Sequence, residues 1–179
     1  PERHNTDGQI TFLNLAPPPA QAPHSSLVHM FDCVRRTFGT PDSRLLAQCV
    51  ADGAWQLDSA AALAALHNAA TRGEPVVVLG TAFMFVHLLD ELERRALTLA
   101  LPSDTRVMET GGYKGRSRSM LKAELHALIT EFLGVPRSHI VCEYGMSELS
   151  SQAYSTGSTF RFRPWARTRI ISPDAATVL

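Results

Sequence analysis

The stretch Val141-Cys142-Glu143-Tyr144-Gly145-Met146-Ser147-Glu148-Leu149 decides how this chain is read. From His139 to Glu143 it has the character of a buried strand, and Gly145 predicts a tight turn straight afterwards. An aromatic ring, a hydroxyl and a carboxylate follow in close succession at Tyr144, Ser147 and Glu148. In an open α/β sheet, ligands are held by loops outside the carboxyl ends of the strands. In such a loop Tyr144 can stack on a planar base, Ser147 can bond an anionic oxygen and Glu148 can hold a divalent cation. The same residues also read as a strand entering a helix, with Ser147 and Glu148 in its first turn.

Upstream of this stretch, Ser117 can cap a helix with Leu121, Leu125, Leu128, Ile129 and Phe132 on its core face, stopped by Gly134-Val135-Pro136. His126 on that helix reads as a surface or supporting residue. Arg106-Val107-Met108-Glu109-Thr110 predicts a strand that delivers the turn Gly111-Gly112-Tyr113-Lys114-Gly115-Arg116. Glycines there permit close backbone approach to a ligand. The turn has neither a Walker lysine–serine pair nor a GxGxxG pattern, and it also serves as a plain strand-to-helix connection.

Further back, Val76-Val77-Val78-Leu79-Gly80 is a continuous apolar run of the kind found in central parallel strands. Asp58 caps an alanine-rich helix from Ser59 to Thr71, closed by Gly73, and a longer helix runs from Thr81 to Leu97 with Met84, Phe85, Leu88, Leu89 and Leu92 on its apolar face. The chain opens with an alternating strand, Gln9 to Leu15, and a polyproline-like connector, Ala16 to Pro23. A helix capped by Ser25 or Ser26 follows, apolar at Leu27, Met30, Phe31, Val34 and Phe38 and ended by Gly39-Thr40-Pro41. Helices alternating with strands predict an α/β fold, a mostly parallel, doubly wound sheet with flanking helices. If the strands ending at Thr110 and Glu143 are neighbours, their two loops face each other across one cleft.

Composition narrows the function classes. The 179 residues are expected to form a single α/β domain over residues 1–179, with 45% hydrophobic and 19% charged residues as in an ordinary globular protein. A net charge of zero gives no support for a nucleic-acid or anionic-membrane partner. No apolar run approaches the roughly 20 residues that cross a bilayer, and no signal-peptide core follows Pro1. Three cysteines without CxxC spacing point to reduced thiols and a cytoplasmic location. His24 and His29 lie on different sides of a helix start and are not expected to form a zinc site. In the tail, Phe160-Arg161-Phe162-Arg163-Pro164-Trp165-Ala166-Arg167 alternates apolar and basic residues, an amphipathic strand pair with arginines on its exposed face. A further strand is expected from Arg169-Ile170-Ile171.

The run Tyr144-Gly145-Met146-Ser147-Glu148 resembles the Tyr-Gly-x-Thr/Ser-Glu motif of the adenylate-forming superfamily, which includes acyl- and aryl-CoA ligases and peptide-synthetase adenylation domains. More narrowly, PHSSLVHMF, METGGYKGR and EYGMSELSSQAY are similar to the acyl-protein synthetase (LuxE-like) family, close kin to phenylacetate-CoA ligases, over most of the chain from about Pro23. The resemblance implies the N-terminal subdomain of such an enzyme, with ATP and Mg2+ as cofactors. It also implies that Tyr144 stacks on adenine, that Gly111, Gly112 and Gly145 line that pocket, and that Ser147 contacts the α-phosphate or the acyl carboxylate. Glu148 would then coordinate magnesium, so Ser147 and Glu148 are the implied catalytic pair. The implied partners are a carboxylic-acid (acyl) substrate and a thiol acceptor, either a protein cysteine or CoA, with an acyl-transfer partner protein. Phe83 and Phe85 are candidates for the acyl pocket, and both also suit helix-core packing.

The chain departs from the family's pattern. No Ser/Thr/Gly-rich phosphate loop is recognisable before Gly39, nor a ribose-binding aspartate, the small C-terminal domain with its catalytic lysine, or the acyl-accepting C-terminal cysteine. Cys142, inside a strand, reads as a core thiol. The chain therefore resembles the central part of a larger fold. The alternative is a non-catalytic α/β module that binds nucleotide or another protein. As a part of a ligase, this 179-residue chain is expected to give no acyl-dependent ATP–pyrophosphate exchange by itself, and detecting that exchange overturns the expectation.

Overall fold

The computed structural model describes residues 8–51, 53–111, 120–146, 151–155, 157 and 159–166. The first crossover runs from β1 (Thr11–Leu15) through α1 (Ser26–Phe38) to the short β2 (Arg44–Leu45). A small hairpin, β3 (Ala47–Cys49) with β4 (Trp55–Leu57), precedes α2 (Ser59–Arg72). Then β5 (Val76–Thr81), α3 (Ala82–Arg94), β6 (Arg106–Thr110), α4 (Lys122–Leu133) and β7 (Ile140–Met146) alternate, and β8 (Ser151–Ser155) and β9 (Phe160–Phe162) follow. The main sheet has seven strands in the order β2-β1-β5-β6-β7-β8-β9. From β2 to β7 the pairing is parallel, while β8 and β9 add antiparallel strands at one side. The expected α/β class with a mostly parallel sheet and flanking helices is what the chain adopts.

Strand order explains where the helices lie. The step from β1 to β2 runs one way along the sheet and the steps through β5, β6 and β7 run the other. Right-handed crossovers therefore put α1 on one face and α2, α3 and α4 on the opposite face. The alternation of side chains agrees. Leu13 and Leu15 pack with Leu66, Leu88, Leu89 and Ile129 of the three-helix face, whereas Phe12 and Ala16 pack with Val28 and Phe31 of α1. Leu13, Val78, Val107 and Ile140 stand side by side across four strands, a fully apolar row under α2, α3 and α4. Phe31 and Phe85 are wholly buried, and each contributes about 2–3 kcal/mol of hydrophobic stabilisation.

Helix starts follow their caps. The side chains of Ser25, Asp58 and Thr81 accept from the backbone N–H groups of Val28, Ala61 and Met84. Several expectations change. The third helix stops at Arg94 and not at Leu97, and Thr81 is its cap. Phe38, the last residue of α1, is exposed, and the buried residues of that helix are Val28 and Phe31. Leu121 is not a core residue of α4 but its N-cap, 77% exposed and without a side-chain cap. The expected cap, Ser117, and the strand expected at Arg169–Ile171 lie outside the described residues. The largest change concerns Gly145. It is no turn residue: β7 continues through it to Met146, with Gly145 opposite Gln152 of β8. Antiparallel hydrogen bonding to β8 holds this stretch extended, so the strand leads into a hairpin and not into a crossover helix.

Close packing at the centre imposes one narrow requirement. Gly80 of β5 lies where a Cβ would come within 3.0 Å of Leu15 Cβ and 3.2 Å of the Phe85 ring. Neither neighbour has room to retreat, since both are wholly buried. Gly80→Ala is therefore expected to destabilise the fold by about 1–3 kcal/mol, read as a lower urea midpoint with unchanged slope. An unchanged midpoint would show that this core is looser than its contacts imply.

Candidate functional site

Strands β6 and β7 are in-register parallel neighbours, with Thr110 opposite Glu143. Their carboxyl ends consequently lie on one edge of the sheet, with β7 continuing three residues beyond Glu143 to Met146. Gly111 follows Thr110 with φ 71°, a left-handed conformation that turns the chain off the edge at once. Tyr144, two residues from the end of β7, is 45% exposed, a large aromatic side chain left at the rim. Phe160 of β9 approaches it edge-on, with ring centroids 5.8 Å apart and planes at 61°. Lys122, the first residue of α4, places its Nζ 4.8 Å from the centroid of the Phe160 ring.

Beneath this rim, each face of the sheet buries a hydrogen-bonded polar pair. On the α1 side the Thr110 hydroxyl donates to the Glu143 carboxylate, and both residues are about 5% exposed. Gly145 makes room for that carboxylate, because a Cβ there would collide with Glu143 Oε1. Tyr154 stands opposite Glu143 on β8, and its hydroxyl donates to Gln152 Oε1 at 2.8 Å. The Arg163 guanidinium lies 5.4 Å from the Tyr154 ring centroid. Burial, and then the Glu143 charge, push the Tyr154 phenol above its ordinary value, with Arg163 pulling the other way. Gln152 also reaches the Met30 sulfur of α1, tying the hairpin to that helix.

On the three-helix side, His126 Nε2 lies 3.0 Å from Glu109 Oε1, and the two side chains are 4% and 3% exposed. An ionised Glu109 accepts from the ring N–H, whereas a protonated one donates to a neutral imidazole. In both cases one proton lies between the two atoms. Burial raises the Glu109 carboxyl, opposed by the Cys142 thiol and by the charges of Lys122 and Arg137. Burial pushes the Cys142 thiol up to about 12, with the Glu109 carboxylate adding to it, so this sulfur stays protonated and inert near neutral pH.

Of the residues expected to form the site, Gly111, Tyr144 and Gly145 come together on this edge. Gly112, Ser147 and Glu148 lie outside the described residues. Of the two acyl-pocket candidates, Phe85 is core, while Phe83 lines a cleft of about 710 Å³ between the β3–β4 hairpin and α3. His126, expected at the surface or in support, is buried because it shares the core side of α4 with Leu125 and Ile129. Glu109, Glu143, Tyr154 and Phe160 were no part of the expected site. Of these, Glu109 had a readable signal, alternating with Val107 on the core side of β6; the burial of His126 was readable too, from its spacing of three residues to Ile129. Among the described residues, no group of three or more His, Cys, Asp or Glu side chains could hold a metal ion, and no helix is long and apolar enough to cross a membrane.

The fold and this edge define a class: an α/β protein whose parallel strands carry an aromatic, glycine-flanked rim. Comparison with protein-family models, curated proteins and solved structures finds no match to the chain.

The buried pair makes stability depend on pH with a definite sign. Glu109 has a folded pKa above its ordinary 4.5, so the folded state holds this proton more tightly than the unfolded chain. Its contribution is fully present below the ordinary value and is lost as pH rises through the raised one. Glu109→Gln retains a polar partner for His126 and cannot ionise. Thermal midpoints measured between about pH 4 and pH 8 are expected to fall less steeply with rising pH in the variant than in the wild type. Identical slopes would exclude Glu109 as the group responsible.

Proposed function

We propose that this chain is part of a carboxylate-activating ligase of the acyl-protein synthetase type, built on the N-terminal subdomain of an adenylate-forming enzyme. The observation that carries the proposal is the in-register pairing of β6 with β7, which brings Gly111 and Tyr144–Gly145 to one edge of a parallel sheet. The reaction has two halves. A substrate carboxylate oxygen attacks the α-phosphorus of ATP, the bond to the β-phosphate oxygen breaks, and pyrophosphate leaves. A thiolate then attacks the acyl carbon of the mixed anhydride and AMP departs with the electron pair. Two anions meet in the first half, so the site must neutralise charge as it builds.

In this reading Tyr144 stacks on the adenine, and Gly111 and Gly112 let the base approach the backbone. The Ser147 hydroxyl donates to an oxygen of the α-phosphate or the acyl carboxylate. The described carboxylates at this edge do not suit magnesium: Glu143 and Glu109 are buried and already bonded to Thr110 and His126. A magnesium role rests on Glu148 alone. Cys142, buried and protonated, is not the acyl acceptor, so the thiol belongs to CoA or to a protein cysteine elsewhere.

Isothermal titration of the chain with ATP tests this reading. Tyr144→Ala is expected to weaken binding at least about tenfold through loss of stacking. Glu148→Ala is expected to remove the dependence of binding on magnesium while leaving metal-free binding in place. Absence of ATP binding, or binding indifferent to both substitutions, would sink the ligase reading and favour a non-catalytic interaction module.

A further inference from the structure

We infer that Phe160 of β9 is a positioning residue for Tyr144, and that the β8–β9 hairpin with Lys122 of α4 therefore belongs to the base-binding site; the inference rests on the nucleotide reading of Tyr144. The two rings come from strands that are not hydrogen-bonded to each other. β8 runs between them, with Ala153 opposite both Tyr144 and Phe162, and Ser155 opposite Phe160. Ala153 is wholly buried and Ser155 is 1% exposed. These small side chains leave the two rings free to meet diagonally across the middle strand, a reach that suits aromatic side chains. Their contact at 61° is no stack. It fixes the tilt of the Tyr144 ring without imitating the parallel packing that a purine would adopt.

Lys122 supports the same arrangement from the helix layer. Its ammonium over the Phe160 ring is a cation–π contact that couples the start of α4 to β9. Lys122 is half-buried, and its charge also reaches Glu109 and Cys142 beneath the β6–β7 edge. Side chains from three elements distant in sequence, β7, β9 and α4, meet at the half-buried Phe160 ring. A strand appended only to cover the sheet would not require that convergence. The ligand this rim suits is a planar base.

The test is competition against N-methylanthraniloyl-ATP by ATP and, separately, by inorganic tripolyphosphate, using the full chain. Phe160→Ala is expected to weaken ATP about tenfold and leave tripolyphosphate unchanged, since only the base is affected. Phe160→Tyr is expected to restore ATP affinity to within about twofold, and Phe160→Leu, which keeps bulk without a ring, is expected not to. Lys122→Met is expected to weaken ATP by about threefold. If Phe160→Ala does not fold, the leucine and tyrosine variants carry the comparison. ATP affinity unchanged by Phe160→Leu while Tyr144→Ala abolishes it would overturn the role of Phe160 and leave the nucleotide reading standing. Equal losses of ATP and tripolyphosphate would also overturn it, as general damage to the fold. If wild type fails to bind ATP, or Tyr144→Ala has no effect, the inference falls together with the reading beneath it.

Discussion

Everything at the rim of this sheet depends on the pairing of β6 with β7 and on the polar side chains buried along it. Parallel strands supply slanted, evenly spaced hydrogen bonds that leave little freedom in register. A slip by one residue would exchange the faces of every side chain. Here such a slip would drive Glu109 away from His126 and Glu143 away from Thr110, leaving two carboxyl groups buried without partners. Orphaning a buried charge costs several kcal/mol, far more than the surrounding apolar contacts could recover. The two polar contacts therefore act as register locks, one on each face, at the level where the chain must present Gly111 and Tyr144.

A division of labour runs along the strands. On the three-helix face the row of Leu13, Val78, Val107 and Ile140 is wholly apolar and holds the helices. One row up, Leu15, Gly80, Glu109 and Cys142 stand abreast, and the character changes from packing to polar chemistry within that row. Gly80 lets Phe85 and Leu15 close over the centre, while burial raises both the Glu109 carboxyl and the Cys142 thiol above their ordinary values. The apolar packing row and the row that carries Glu109 and Cys142 thus lie only two residues apart along each strand.

The legible parts of the sequence were those whose information is local. Val76–Gly80 could be recognised as a buried strand because its apolar run needs no partner to be read. Ser25 and Asp58 announce helix starts by bonding a backbone group three residues on. What was misread depends on partners elsewhere in the chain. Gly145 suggests a turn until Gln152 is known to lie opposite, and Leu121 fits a core stripe until the helix is seen to begin at Lys122. The strands of two or three residues, β2, β3 and β4, are too short to show a period at all. At the site, Tyr144 and Gly111 were readable as types of residue at a strand end. Phe160 was not, because nothing near it in sequence refers to β7.

The position of β1 has a consequence for the order in which the molecule assembles. From β5 to β7 each strand pairs with the next one in the chain, and each connection closes through a single helix. β1 instead waits for β5, with α1, the β3–β4 hairpin and α2 all lying between them in sequence. Closing that long loop carries a larger entropic penalty than any step on the other side. The half that bears the rim can therefore collapse on contacts of short range, and β1 with α1 docks onto it afterwards. In kinetic terms the nucleus and the site share the same strands. Substitutions in α1 would then act chiefly on the unfolding rate, and those in β6 and β7 on the rate of folding.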